Sequence, residues 1–526
     1  MAKKRKQNKP AARRPTPLLA TDAAIERQLD RIDETLLHRG APPTFDMIEQ
    51  LADAERRLPE VLAKRLISGR ALVPVVAFEL LATFGGSRAK TLLRRIADEP
   101  RTQDIVRFGA RRRAGWPQRG EAKRRRAFLE SLKDPDGTLV EAVRQATDSW
   151  PPSGEILEEV LGYLSALPSE RRRDLVERIA GELGPQTIWL LHALLHLDDP
   201  PTQRLALSEL VRFRDPTATG PISRLAGTAR HADLRTEAVA ALQRLGLRAV
   251  GGPGPARPLE FPPVERALFT VLDNEGGQAI LVARRLVEGA SLFVNIFHDT
   301  HSGLKTVAGA SQMMTDLVDE MVDGFEEEGI DVLEVDLTAV RGAVAAALEV
   351  NVANGRAIPP AFELWEPLLH DAFPPPPNEP LVRPELDDAT YADRPDLVKA
   401  SGKLVDHPFF ESWTFGGTET SLAMLTAPPP TSRRWSERQY RALIDELVDP
   451  ATRDRFRRIL RRQAWLLEQD EDLEMRDVAL ATAAHLAEAG PAELAKLPFL
   501  RRLVQRSVGD VVHSLLYPPY QPADHS

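Results

Sequence analysis

Apolar residues recur at helical spacing along most of the first 250 residues. Near the N-terminus, positions three or four residues apart define one helical face, formed by Ile25, Leu29, Ile32 and Leu36. Similar segments continue to about Val250, and Gly, Pro and Asp-Pro pairs interrupt them at short intervals. The pattern predicts a series of short helices joined by tight turns.

Two of these segments lie thirty-two residues apart and match at their apolar positions. The matching residues are Ala206, Leu207 and Leu210 in the first copy and Ala238, Val239 and Leu242 in the second. The second copy, 231–246, resembles the first helix of a HEAT repeat, with Arg235 and Ala238 at the spacing of that pattern. The resemblance is specific over 199–246, and it implies an α-solenoid of stacked helical hairpins.

After residue 263 the apolar period changes from helical to strand-like. Segments 267–272 and 278–283 flank a turn sequence and are typical of a β-hairpin. Two further strands are predicted at 291–297 and 304–308, and helices at 315–328 and 338–354. The simplest arrangement is a small antiparallel sheet with helices on one face.

The predicted fold class is mainly α: an N-terminal HEAT-like α-solenoid, a small α+β domain with an antiparallel sheet in the middle, and a C-terminal helical region. The expected segments are a disordered basic arm at 1–20, the solenoid at 21–250, a linker at 251–263, the α+β domain at 264–373, a Pro-rich linker at 374–388, and the helical region at 389–526. This order resembles that of uncharacterised bacterial proteins containing HEAT repeats, and the resemblance implies no activity.

Composition restricts the classes of site that the chain can form. Its 526 residues are 43% hydrophobic and 28% charged, which is typical of a globular protein. The chain has no cysteine, which excludes disulfides, thiolate metal sites and cysteine nucleophiles. No apolar stretch approaches the roughly 20 residues of a membrane span, and the N-terminus lacks the apolar core of a secretory signal. A cytoplasmic protein is therefore expected.

Positive charge is concentrated near the N-terminus of a chain whose formal net charge is -8. Residues 1–20 carry seven cations and no acid, and 88–126 carry fourteen cations against four acids. On one edge of a solenoid these cations would form a strip suited to phosphate backbones, with Trp116 able to stack on a base. The alternative is that they solvate helix faces and pair with acids. The proposed basic strip comprises Arg107, Arg111, Arg112, Arg113, Trp116, Lys123, Arg124, Arg125 and Arg126.

Two groups of histidines are candidates for an all-nitrogen and oxygen metal site. His298, Asp299 and His301 fall where a predicted strand meets a turn, from which side chains can converge on a ligand. The alternative is an ordinary turn, since Asp and Ser favour such positions. His192 and His196 share one helical face and can hold zinc, but packed core histidines are the favoured interpretation on so apolar a helix.

The leading functional hypothesis is a non-catalytic scaffold or adaptor that binds another macromolecule, most simply a protein, through a helical-repeat surface. One alternative is a nucleic-acid-binding protein that uses the basic strip. The other is a metal-dependent hydrolase centred on His298, Asp299 and His301. The sequence contains neither a phosphate-binding Gly-x-x-x-x-Gly-Lys-Ser/Thr motif nor a Gly-x-Ser-x-Gly elbow, so nucleotide hydrolysis and a serine-hydrolase elbow mechanism have no support. No cofactor is expected.

Overall fold

The computed structural model describes residues 21–39, 51, 54, 56–71, 73–116, 120–148, 152–249, 259–287, 290–373, 375, 379–426 and 437–516. The predicted basic arm, 1–20, lies outside the described residues, as does the first linker up to residue 258. The fold is mainly helical and contains a small antiparallel sheet of five strands. None of the described helices combines the length and hydropathy that a membrane span requires.

The chain divides into two compact units. Unit 1 comprises Met1–Gln145 and Glu159–Arg171, and unit 2 comprises Ala146–Glu158 and Arg172–Ser526. This division differs from the boundaries that the two linkers suggested. The later part of the predicted solenoid belongs to the same unit as the sheet, because its buried side chains contact residues that follow the sheet in sequence.

Short amphipathic helices make up the described part of unit 1. They are Asp22–Arg39, Leu58–Ile67, Pro74–Gly85, Ala89–Asp98, Asp104–Ala114 and Glu121–Glu130, with a 3-10 turn at Gly86–Arg88. The helices Pro135–Thr147, Gly154–Ala166 and Ser169–Leu183 contain residues of both units. In Ala89–Asp98, apolar Leu92, Leu93 and Ile96 are buried on one face.

Arginine side chains join helices of unit 1 at a recurring separation along the sequence. Arg65 contacts Asp33 at 2.9 Å across 32 residues. Arg95 contacts Glu60 at 2.8 Å, and Arg171 contacts Asp136 at 2.7 Å, each across 35 residues. These three ties recur at separations of 32 to 35 residues.

Unit 2 begins with helices that carry the two matching segments. They are Ile188–Leu194, Pro200–Phe213, Thr219–Thr228 and Ala232–Ala249, with 3-10 turns at Gly184–Thr187 and Pro216–Ala218. Here too the ties recur, since Arg230 contacts Asp198 at 2.7 Å across 32 residues and Arg204 contacts Glu237 at 3.1 Å across 33. Leu207 of the first copy is 4% exposed, whereas the matching Val239 is 46% exposed.

The strands of unit 2 form an antiparallel sheet in the order β5-β4-β3-β2-β6 and a separate two-stranded pair. The sheet strands are β2 (Val264–Thr270), β3 (Gly277–Val287), β4 (Ala290–Asp299), β5 (Gly303–Met314) and β6 (Val332–Glu334). The pair joins β1 (Leu259–Glu260), inside the segment expected to be a linker, to β7 (Ala372–Phe373). All four predicted strands are present, whereas β1, β6 and β7 were not predicted.

Helices cover both faces of the sheet, whereas the sequence suggested one. The helix Thr315–Glu327, here called the acidic helix, packs Val318 and Val322 on Phe293 and Leu281 of one face. On the other face, Phe269 lies 6.1 Å from Trp465 between ring centroids. The central strands are apolar on both sides, so each face needs a cover.

The remaining helices of unit 2 follow the acidic helix. They are Leu337–Ala353, Phe362–Trp365, Pro395–Ala400, Gly402–Val405, Gly417–Thr426, Glu437–Leu447, Pro450–Gln469, Leu473–Glu488, Pro491–Leu494 and Pro498–Leu516, with 3-10 turns at Glu366–Leu369, Ala389–Tyr391 and Pro408–Phe410. The described part of the second predicted linker packs against them, because Val382 N donates to Thr338 O at 3.0 Å and Leu386 N donates to Arg461 O at 3.2 Å.

Candidate functional site

Arg107 of the basic strip is buried and bonded to the backbone. Its side chain is 4% exposed, and its Nε donates to Ala97 O at 2.9 Å. Its Nη1 donates to Ser131 O at 3.0 Å. A guanidinium in this position satisfies carbonyl groups at the ends of neighbouring helices and has no contact surface for a phosphate.

Trp116 is held within unit 1 by two other residues of the basic strip. The guanidinium carbons of Arg111 and Arg125 lie 5.2 and 5.3 Å from the ring centroid. The indole Nε1 donates to Glu159 Oε1 at 2.8 Å, and the ring meets Tyr163 edge to face. These contacts engage the indole inside the unit, so it is not presented as a stacking platform for a base.

The rest of the basic strip is more exposed. Arg113 lies 4.9 Å from the centroid of the Phe78 ring, and Arg112 is half-buried. Arg126 pairs with Glu130 at 3.0 Å. Lys123 and Arg124 are exposed and make no ion pair within the described part of the chain. The structure therefore leaves these two cations available to a phosphate partner.

Asp299 is engaged in the turn between β4 and β5. Its Oδ2 lies 2.6 Å from Lys305 Nζ, and its Oδ1 accepts from His301 N at 2.8 Å. Although partial burial raises the pKa of this carboxyl, hydrogen bonds from Lys305 and Ser302 lower it to about 2. The residue acts here as an ordinary turn former.

His298 is fully buried and belongs to the opposite face of β4 from Asp299. Neither ring nitrogen has a hydrogen-bond partner, and burial together with the nearby Arg462 holds the pKa of the imidazole well below its ordinary value. His301 is exposed. The three candidate ligands do not converge, and the described residues contain no group of three His, Asp or Glu placed to hold a metal ion.

The structure places His196 in a buried charged cluster of unit 2 that the sequence did not predict. His196 Nε2 lies 2.8 Å from Glu363 Oε1. Arg224 Nε donates to the same oxygen at 2.8 Å, and Arg224 Nη1 donates to Glu366 Oε1 at 2.9 Å. The Glu363 side chain has no exposed surface. The cluster joins the helical hairpins to the segment that follows the sheet.

The cluster shifts the protonation equilibria of its members. Burial raises the pKa of Glu363, but the charges of Arg224 and His196 outweigh this and hold it well below its ordinary value. Burial, with Glu363 nearby, raises the pKa of Glu366. Burial also lowers the pKa of the neighbouring His192 to about 4. The sequence indicated the two histidines but gave no sign of glutamates more than 160 residues away.

Two cavities lie close to this cluster in unit 2. An apolar cavity of about 20 Å³, room for about one water molecule, is lined by residues that include Trp189, Leu364 and Trp365. A more open groove of about 180 Å³ is lined by Thr147, Pro152, Pro185, Gln186, Ile188, Trp189, Asp215 and Thr217. Asp215 Oδ1 accepts from Thr217 N at 2.7 Å, which fixes that carboxylate in a local turn.

Comparison with protein families, with curated proteins and with solved structures found no match to this chain. Functional proposals therefore depend on its own residues. Among the candidate residues discussed above, polar clusters form around Trp116 and Arg224, and Lys123 and Arg124 of the basic strip are exposed.

Proposed function

We propose that the protein is a non-catalytic cytoplasmic scaffold that binds another macromolecule, with HEAT-like helical hairpins as its frame. The observation that carries this proposal is the recurrence of arginine to acid ties at 32 to 35 residues in both units. Stacked hairpins place equivalent positions at such a separation, and stacked repeats create extended surfaces for partners.

The ionisable residues that the sequence analysis proposed for phosphate binding or for a metal site also support a structural role. Arg107 and Arg125 bond to carbonyl and carboxylate groups within unit 1. Arg224, which the sequence analysis did not single out, bonds to two carboxylates within unit 2. Asp299 closes a turn. These contacts position helices against one another, which is what a frame for binding requires.

Cross-linking in a lysate of the native host tests the scaffold proposal. The full chain, with a removable tag, is cross-linked and the products are identified by mass spectrometry. We expect one specific partner, linked to exposed positions of the helices. A matched sample with the tag alone controls for background. Recovery of no partner above this background would count against the proposal.

Nucleic-acid binding is the second candidate, and the exposed Lys123 and Arg124 favour it. Each contact between a cation and a phosphate releases a counterion, so affinity falls steeply with salt. We expect the double substitution K123E/R124E to weaken binding of a DNA or RNA duplex and to reduce its salt dependence.

The matched control is K399E/R458E, which makes the same change in net charge at two exposed cations of unit 2 that form no ion pair within the described residues. Filter binding over a salt series measures both variants. Equal loss of affinity in the two variants would show a general charge effect and exclude Lys123 and Arg124 as a specific site.

A further inference from the structure

The groove of about 180 Å³ beside Trp189 and Asp215, here called the Asp215 groove, is lined by residues of unit 2 alone. Two 3-10 turns, Gly184–Thr187 and Pro216–Ala218, contribute to its walls. An apolar cavity of about 150 Å³ in a protein interior can hold a benzene molecule. The Asp215 groove therefore has room for one small molecule, and it is too small for a helix or a strand of a partner.

Negative charge in the groove comes from Asp215, which alone is ionisable among the described residues that line it. Its Oδ1 accepts from Thr217 N at 2.7 Å and from Thr217 Oγ1 at 2.5 Å. Within the described part of the chain, its Oδ2 accepts no hydrogen bond and the carboxylate forms no ion pair. One carboxylate oxygen is thus fixed by the turn, and the other is left for a ligand.

Neighbouring titratable groups do not balance this carboxylate. Burial lowers the pKa of the nearby His192 to about 4, so its imidazole is neutral at pH 7. The adjacent Arg214 is exposed and makes no ion pair with Asp215. The charge complement of the groove is therefore a cation, and an anion would meet the carboxylate without a compensating positive side chain on the described lining.

Trp189 supplies an aromatic wall to the groove. Its half-buried indole lies 5.7 Å from the Phe373 ring and meets His192 edge to face at 5.9 Å between centroids. These rings hold the indole in position where it lines the groove. An aromatic ring attracts an organic cation over its face, and the attraction increases where water is partly excluded.

We propose that the Asp215 groove binds a small organic ammonium ion that has an apolar body. The ammonium group donates to Asp215 Oδ2, and the apolar body packs on the Trp189 ring and on Pro152 and Ile188, which also line the groove. The site is a small-molecule site, and it goes beyond the scaffold function.

Lysine side chains carry the same ammonium group, but a free amine with a ring fits the groove better. The thin four-carbon stem of lysine would fill only part of a space that exceeds the volume of a benzene cavity. Unfilled apolar space loses packing contacts on one side. We therefore assign the groove to a free aromatic or branched amine.

Benzylammonium is the probe, and benzyl alcohol, which has a similar shape without the charge, is its control. Saturation-transfer NMR with the full chain at pH 7 measures both dissociation constants. We expect benzylammonium to bind saturably and about tenfold more tightly than the alcohol, because only the ammonium forms a charge-assisted bond to the carboxylate. Lack of saturable binding, or equal affinity for the two compounds, overturns the proposal.

The substitution D215N places the binding at the carboxylate. Asparagine keeps an oxygen that can accept from Thr217 N, so the turn is retained while the charge is removed. We expect benzylammonium affinity to fall about tenfold and that of benzyl alcohol to stay unchanged. The control D393N, at an exposed acid that does not line the groove, should leave both affinities unchanged. Wild-type affinity in D215N, or an equal loss in D393N, overturns the proposal.

Two further measurements test the aromatic wall and the source of the ammonium group. We expect W189L to weaken benzylammonium binding about fivefold, with an unchanged circular dichroism spectrum, because the ring is lost. Wild-type affinity in W189L overturns the placement of the ligand on the indole. Tighter binding of Nα-acetyl-lysine methylamide than of benzylammonium assigns the groove to a protein lysine and overturns the proposal of a free amine.

Discussion

Arg224 balances two glutamates that are shielded from solvent, and we expect its loss to destabilise unit 2. Replacement by leucine leaves Glu363 and Glu366 without their cation, and breaking a buried pair in this way costs about 3 to 5 kcal/mol. Urea unfolding followed by far-UV circular dichroism measures the loss. We therefore expect a marked decrease in the unfolding midpoint of R224L.

Arg204 provides the control for this prediction. It also contacts two carboxylates, Asp233 and Glu237, but its side chain is 39% exposed. Pairs at such a surface contribute about 0 to 1 kcal/mol, so R204L should unfold close to wild type. Losses of equal size in R224L and R204L would contradict a special role for burial.

We expect the buried His192 to make the folded protein less stable in mild acid. Its pKa in the folded chain is about 4, below the ordinary value of 6.5, so the unfolded chain takes up a proton first as the pH falls. Its contribution to stability is complete above pH 6.5 and is lost as the pH falls toward 4, by up to about 1.4 kcal/mol per pH unit.

Thermal unfolding between pH 7 and pH 4 measures this effect. We expect H192L to have a shallower dependence of stability on pH than the wild type across this window. The exposed His301 supplies the control, and H301Q should follow the wild-type curve. A wild-type slope in H192L would show that other groups cause the loss.

At the scale of elements, Trp365 fixes the edge of the sheet to the start of a helix. A Cβ atom added at Gly309 of β5, or at Gly154 at the beginning of Gly154–Ala166, would overlap the indole ring. Overpacking of this kind costs about 1 to 3 kcal/mol, so G309A should lower the free energy of unfolding by that amount.

Gly246 provides the matched control for G309A. It lies inside the helix Ala232–Ala249, and an added Cβ there meets no atom within 4 Å. G246A should be neutral or stabilise the protein by up to about 1 kcal/mol, because alanine favours helix over glycine. Urea unfolding of both variants measures the difference, and destabilisation of G246A alone would reverse the expected order.

The strands illustrate what periodicity can and cannot predict at this scale. The hairpin of β2 and β3 was predictable because residues within the turn determine its conformation. Asp273 Oδ1 accepts a hydrogen bond from Gly277 N at 2.7 Å, and Gly276 adopts a φ of +85°. β6 has three residues, too few to show alternation. The helices that pack on the second face of the sheet could not be predicted either, because a continuous apolar run does not show which element it packs against.

At the scale of the whole molecule, the two compact units should respond separately to loss of a buried arginine. Arg65, with 4% of its side chain exposed, contacts Glu26, Asp30 and Asp33 in unit 1. We expect R65L to speed amide hydrogen exchange in Asp22–Arg39 and Leu58–Ile67, because three carboxylates lose their cation.

Mass spectrometry of exchanged peptides measures this effect. We expect β3 in R65L to remain as protected as in the wild type. In R224L we expect faster exchange in β3, whereas Asp22–Arg39 and Leu58–Ile67 stay as protected as in the wild type. Loss of protection in β3 of R65L would show that the two units unfold as one.

The boundaries of the two compact units could not be predicted from the sequence, because contacts between residues far apart in the sequence define them. The contact between His196 and Glu363 joins a residue that precedes the five-stranded sheet in the sequence to one that follows it. The contact between Arg224 and Glu363 spans 139 residues of sequence. Gly and Pro content identifies segments with little regular secondary structure, but such segments can still pack within a compact unit. The short strand β1, inside the first predicted linker, is an example, because it pairs with β7.

The second face of the sheet is completed late in the chain. Leu272 N donates to Gln463 Oε1 across 191 residues, and the Trp413 indole donates to Leu272 O across 141. A ribosome adds about 5 to 20 residues each second, so the strands wait roughly 10 to 40 seconds for the helix that covers them. We therefore expect this apolar face to stay exposed during synthesis until the helix Pro450–Gln469 has been made.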